Sequence, residues 1–221
     1  MTSPHRPPAP LARAPEGGAL LVLVRHAEVA AAHHGTLYGG AEVPLSAAGL
    51  AASAELAERL AQQEFAAVAS SPLERALALA RRVAELASLP LQVEPGLREL
   101  DRGSWTFRSK AELERESPGA LRRYAEDPEH GNAPGGERES ALRARVLDAL
   151  DRIAAGHAGR RVLVVAHAHV IRVAMARACG WTPAQSLRHI VPHLGVVELA
   201  LVPPGPGVVL CAPEQTDPAS R

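Results

Sequence analysis

The chain has 221 residues, 47% hydrophobic and 22% charged, a composition that fits a globular fold with a sizeable core and excludes a disordered or fibrous chain. Lys+Arg and Asp+Glu both number 24, so the formal net charge is zero and no broad basic field exists for nucleic acid or an anionic membrane surface. Aromatic residues make up only 3%, which leaves Ala, Val and Leu to build the interior.

In chain order, residues 1–18 are Pro-rich, lack the apolar stretch of a signal peptide and read as a disordered tail. The run at 20–24, Leu-Leu-Val-Leu-Val, is short and branched like a buried strand, yet it runs directly into Arg25 and His26. An Ala- and Leu-rich helix is predicted over 46–63, a strand over 65–69 and a helix over 72–88, with Ser71 as its N-cap and Pro72 in first position. A short strand then leads into a loop, LRELDRGSW (97–105), that carries Glu99. Ser117-Pro118 repeats the helix-start signal, and 137–155 has apolar residues at helical period: Leu142, Val146, Leu147, Leu150 and Ile153. The strand RVLVVA (161–166) is followed by His167-Ala168-His169, then a helix over 170–178 that stops at Gly180. A strand over 195–202, one last short strand and a tail at 213–221 complete the chain.

Strands alternating with helices predict an α/β domain of three layers, a mostly parallel central sheet flanked by helices. No internal repeat or interior linker divides it, so a single domain is expected over 19–212. No apolar run approaches the roughly 20 residues that cross a bilayer. Cys179 and Cys211 show no ligand or redox spacing, which points to a reducing, cytoplasmic setting; Cys179 reads as a small core residue.

Ligands of such sheets bind at the carboxyl ends of strands. Three strand ends here carry polar residues: Arg25-His26; Ser70-Ser71-Pro72 with Arg75 one turn on; and His167. Taken singly, Arg25-His26 is a surface pair and Arg75 a helix-face arginine. Brought together with Glu99, they make a phosphoryl-transfer set. Arginine forks grip a phosphate dianion, a neutral histidine attacks phosphorus, and a second histidine, if charged, stabilises the equatorial oxygens. A glutamate kept protonated by the nearby dianion protonates the leaving oxygen. Arginines take the place of a metal, and no cofactor is implied. Asp101 and Glu28 are neighbouring acids that keep the choice of Glu99 open. His33-His34 and His167-x-His169 lack the Cys or Asp residues that would complete a metal site, so His169 is read as a neighbour of the pocket. Arg81-Arg82, Arg122-Arg123, Arg143 and Arg145 are balanced by acids and read as solvated faces.

The same residues carry a resemblance. RHAE (25–28) resembles the Arg-His-Gly-Glu signature of the histidine phosphatase superfamily, the phosphoglycerate mutase-like enzymes. YGGAEVPLSAAG (38–49), SSPLERA (70–76), LRELDRGSW, APGGERES (133–140) and VVAHAHVIR (164–172) are similar to further segments of that family, in the same order. The resemblance implies that His26 is the nucleophile that becomes phosphohistidine, that Arg25, Arg75 and His167 bind the phosphate, and that Glu99 is the proton donor. It implies a phosphomonoesterase acting on a small phosphorylated metabolite, and HGTLYGGAEVPLS most resembles the α-ribazole phosphatase-like members. Two alternatives are a phosphoglycerate mutase-type transferase and an inactive binder of a phosphorylated ligand. The family's glycines are Ala27 and Ala168 here, Ala31-Ala32 stands where mutases have Trp-Asn, and Trp105-Thr106-Phe107 replaces Trp-Glu-Gly. No segment demands an oligomer.

Overall fold

The apolar run at 20–24 forms strand β1 (Ala19–Arg25), whose first six residues are buried. In this computed structural model, which describes residues 13–212, β1 is central to a six-stranded sheet. The other strands are β2 (Ala67–Ser70), β3 (Leu91–Val93), β4 (Arg161–Ala166), β5 (Val196–Leu201) and β6 (Val208–Cys211), in spatial order β3-β2-β4-β1-β5-β6. The pairs β3–β2, β2–β4 and β4–β1 are parallel; β1–β5 and β5–β6 are antiparallel. The expectation of a mostly parallel α/β sheet holds. Residues 1–12 and 213–221 of the expected tails lie outside the described residues, while Gly18 accepts a hydrogen bond from Gly159 N–H just before β1.

Both faces of β1 are covered, as its unbroken apolar run requires. Val22 and Val24 face one layer, α1 (Ala47–Ala61) and α2 (Glu74–Leu86), through Leu56, Leu60, Leu79 and Val83. Leu21 and Leu23 face the other, α5 (Glu139–Gly156) and α6 (Ala168–Cys179), through Val146, Leu150, Ile153 and Ile171. The remaining helices are α3 (Lys110–Glu116), α4 (Ala120–Glu126) and the short α7 (Pro183–Ser186).

Several starts differ from the sequence reading. Ser46 caps α1 as its position suggests, accepting from Gly49 N–H. Ser71 does not cap α2. That helix begins at Glu74 behind Leu73, and the Ser71 hydroxyl accepts from Leu73 N–H at 3.3 Å while it contacts His167 Nε2. Ser117 ends α3, and α4 starts behind Gly119 in left-handed backbone (φ 75°). Helix α3 has little apolar signal and is set by a Ser109–Glu112 capping box. Cys179 is exposed: it is the last residue of α6, where left-handed Gly180 turns the chain away. Among the described residues, no helix is long and apolar enough to cross a membrane.

Candidate active site

Strand β4 lies between β2 and β1, so their three carboxyl ends adjoin. Register sets the rest. Arg25 pairs with Ala166 and Ser70 with Val165, and the ladder continues one step further: His26 N–H donates to Ala166 O and Ser71 N–H to Val165 O, both at 3.0 Å. His26, His167 and Ser71 thus share one row at the sheet edge. The rings of His26 and His167 are 5.1 Å apart, both are buried, and His167 Nε2 is 2.7 Å from Ser71 Oγ.

His26 is held in a defined tautomer. Its Nδ1 lies 2.7 Å from the carbonyl of Ala27, which only accepts, so Nδ1 carries the proton and Nε2 keeps its lone pair. Burial, then electrostatic coupling to His167 and the positive charges of Arg75 and Arg25, hold its pKa well below the usual histidine value, and the ring is neutral. Burial also drives His167 down to about 3. The charged form that would brace a transition state therefore needs an anion beside it.

Both arginines are fixed by their Nη atoms. Arg75 donates to the carbonyls of Gly39 and Ala41, both at 2.6 Å; Arg25 donates to Val191 O at 2.5 Å and to His193 Nε2 at 3.0 Å. The Nε atoms of Arg25 and Arg75, with Nδ1 of His167, are buried and have no hydrogen-bond partner. Buried polar atoms of this kind cost free energy unless something pairs with them, and the two arginine donors close enough to His26 to lower its pKa make this a candidate anion site.

Glu99 is buried, whereas Asp101, which lines the same cleft, is exposed and Glu28 is half-buried. Asp101 accepts from Gly103 N–H, and Glu28 accepts from Ser46 Oγ at the head of α1. Glu99 accepts from Leu100 N–H at 2.8 Å and from His169 N–H at 3.3 Å. Burial works to raise its pKa, but His169, His167 and the Leu100 N–H outweigh it and hold the carboxyl well below the usual range. Arg145 stands behind it, donating to the carbonyls of Gly96, Arg98 and Glu99 and pairing with Glu137. It is a strut of the site rather than a solvated residue. Glu99 also lines a cleft of about 550 Å³ with Gly40, Arg98 and Thr106.

His193 was not singled out by its sequence. It precedes β5 in the segment VPHLG, next to Leu194 in left-handed backbone (φ 57°), and its ring lies 5.5 Å from that of His26. A strained residue beside a reactive one is the sort of signal that only coordinates provide. Partial desolvation, then Arg25, push His193 down to about 4 although its side chain is exposed, in keeping with Nε2 accepting from that guanidinium. Among the described residues, no group of three or more His, Cys, Asp or Glu side chains is arranged to hold a metal ion.

Comparison with known proteins places the chain in a family. A family model described as Histidine phosphatase superfamily (branch 1) matches residues 21–212. The chain belongs to the histidine phosphatase superfamily. The Escherichia coli K12 adenosylcobalamin/alpha-ribazole phosphatase is 32% identical over 169 residues, 76% of this chain and 83% of that protein. The metal-independent phosphoserine phosphatase of Arabidopsis thaliana is 37% identical over 162 residues, 71% of this chain and 67% of that protein. The solved structure of Bacillus stearothermophilus YhfR matches with a TM-score of 0.80 at 26% identity, covering 90% of this chain and 98% of the other. As a histidine phosphatase, the chain departs from the family signature at Ala27 and Ala168. Neither position has left-handed backbone, so the extra methyl brings no backbone strain.

Proposed function

We propose that this histidine phosphatase is a metal-independent phosphomonoesterase that works through a phosphohistidine on His26. The observation that carries the reading is a neutral His26 with a free Nε2, set among the unpartnered Nε–H donors of Arg25 and Arg75 and the unpartnered Nδ1 of His167. Nε2 attacks phosphorus while the bond to the leaving oxygen breaks, and Glu99 gives that oxygen its proton. Water then attacks the phosphohistidine, the N–P bond breaks, and Glu99 takes the proton from water. Inorganic phosphate leaves, and both residues are restored.

Arg25 and Arg75 bind the phosphoryl oxygens, and His167 stabilises the charge that builds on them. The dianion also resolves the low pKa of Glu99. Two negative charges brought beside the carboxyl raise it, so Glu99 gains its proton together with the substrate. The substrate is a small phosphorylated metabolite; the names of the two curated relatives put α-ribazole 5′-phosphate and phosphoserine first in a screen. Between α4 and α5 the chain runs through turns from Asp127 to Arg138, a short segment that leaves little to shut water out. That favours hydrolysis over a mutase, which has to keep the phosphohistidine dry.

The test is hydrolysis of p-nitrophenyl phosphate in EDTA, for wild type and His26→Ala. The expected result is activity in the chelator that falls at least about 10³-fold in the variant. Turnover retained by His26→Ala would sink the mechanism.

A further inference from the structure

We propose that His169 is the positioning residue of the acid: it holds both carboxylate oxygens of Glu99 and, fixed in one tautomer by Arg102, presents Nδ1–H to Oε1. The inference rests on the role of Glu99 proposed above.

The hold has two points. The His169 backbone N–H lies 3.3 Å from Oε2, and its Nδ1 lies 3.4 Å from Oε1. The second separation is long for a hydrogen bond, as catalytic contacts commonly are before substrate tightens them. The far side of the ring decides the tautomer. Nε2 is 3.1 Å from Arg102 Nη2 and 3.3 Å from the Tyr124 hydroxyl. A guanidinium only donates, so Nε2 accepts and the proton sits on Nδ1, facing Glu99. Arg102 is itself seated over the Tyr124 ring, 5.0 Å from its centroid. All four side chains are buried.

A chain of donation therefore runs from Arg102 through His169 to Glu99. It gives the two oxygens different work. Oε1 accepts from Leu100 N–H and faces His169 Nδ1 at 3.4 Å, and it stays the acceptor. Oε2, with one backbone N–H at 3.3 Å, is left to carry the transferable proton. The other groups that face Glu99 are Arg75 on α2, His167 at the end of β4, Arg145 on α5, Arg172 on α6 and Tyr124 on α4, and all remain in the variants below.

Removing Nδ1–H takes a donor away from the charged form, so Glu99 keeps its proton to higher pH but aims it less well. The measurement is kcat against pH with two substrates: an alkyl phosphate, whose leaving group needs the proton, and p-nitrophenyl phosphate, whose leaving group hardly does. His169→Ala is expected to lower kcat on the alkyl phosphate about 10- to 100-fold, with a much smaller loss on p-nitrophenyl phosphate. Its alkaline limb is expected to move up by about one pH unit. His169→Asn, whose amide falls where Nδ1 was, keeps most of the activity; His169→Gln, whose amide falls at Nε2, behaves like His169→Ala. Should His169→Ala misfold, the Asn and Gln pair still decides. Equal losses on both substrates in Asn and Gln, with the limb unmoved, overturn the proposal while leaving the phosphatase reading intact. A wild type without His26-dependent hydrolysis brings down both.

Discussion

Arg75 reaches out of the first turn of α2 with both Nη atoms committed to Gly39 and Ala41, which makes it a bracket as well as a charge. A lysine keeps the charge, but its three donors sit on one nitrogen and cannot reproduce the planar fork that reaches two carbonyls and turns Nε–H away from them. Arg75→Lys is therefore expected to lower kcat/KM about 10²-fold, measured by steady-state kinetics; a change of less than threefold would reduce Arg75 to a loop tether. At this scale the sequence was readable where chemistry follows a strand directly. His26 and His167 are the first residues after β1 and β4, and the strand places them. His193 was not readable, because its loop has no periodicity and its aim depends on left-handed Leu194. Arg145 was misread because a helix rich in both charges does not say which arginine turns inward, here onto the carbonyls around Glu99.

The order of strands and the two large helical layers follow from apolar runs and helical periods, and these were legible. The small helices were not. Helix α3 rests on a capping box and α7 on another, local hydrogen bonds with little apolar pattern behind them. The start of α2 lies three residues beyond Ser71, whose hydroxyl joins Leu73 N–H to His167 in the fold. Helix α1 contributes to the site through close approach. A Cβ at Gly49 would stand 2.2 Å from the carbonyl oxygen of Glu28, two residues after His26, a contact backbone cannot relieve cheaply. Gly49→Ala is expected to destabilise the fold by about 2–4 kcal/mol in urea titration, with activity falling as the Arg25–Glu28 turn shifts. An unchanged midpoint would show that α1 can slide away from that turn.

Across the whole molecule, buried titratable groups set how stability depends on pH. His26 lies well below its usual value, His167 is at about 3 and His169 at about 4. In the unfolded chain they titrate near 6.5. Below that value the unfolded state binds more protons, so their contribution is complete above pH 6.5 and is lost as pH falls. Glu139, buried at the start of α5, runs the other way. Burial raises it to about 7, and its contribution is lost as pH rises from the unfolded carboxyl value through 7. Three histidines outweigh one glutamate, so Tm is expected to climb between pH 4 and 6.5 in a thermal melt series. Glu139→Gln is expected to gain about 1–2 kcal/mol over wild type at pH 8 and nothing at pH 4. A gain that does not depend on pH would place its cause elsewhere than in the carboxyl charge.

The central claim is that the phosphoryl group rests on His26. The direct measurement is to mix the protein with a phosphomonoester bearing radiolabelled phosphate, quench in alkali during turnover, and map the labelled peptide. The account expects acid-labile, alkali-stable label on the peptide containing His26, and none in His26→Ala. Turnover without covalent label, or label on a different side chain, would contradict it.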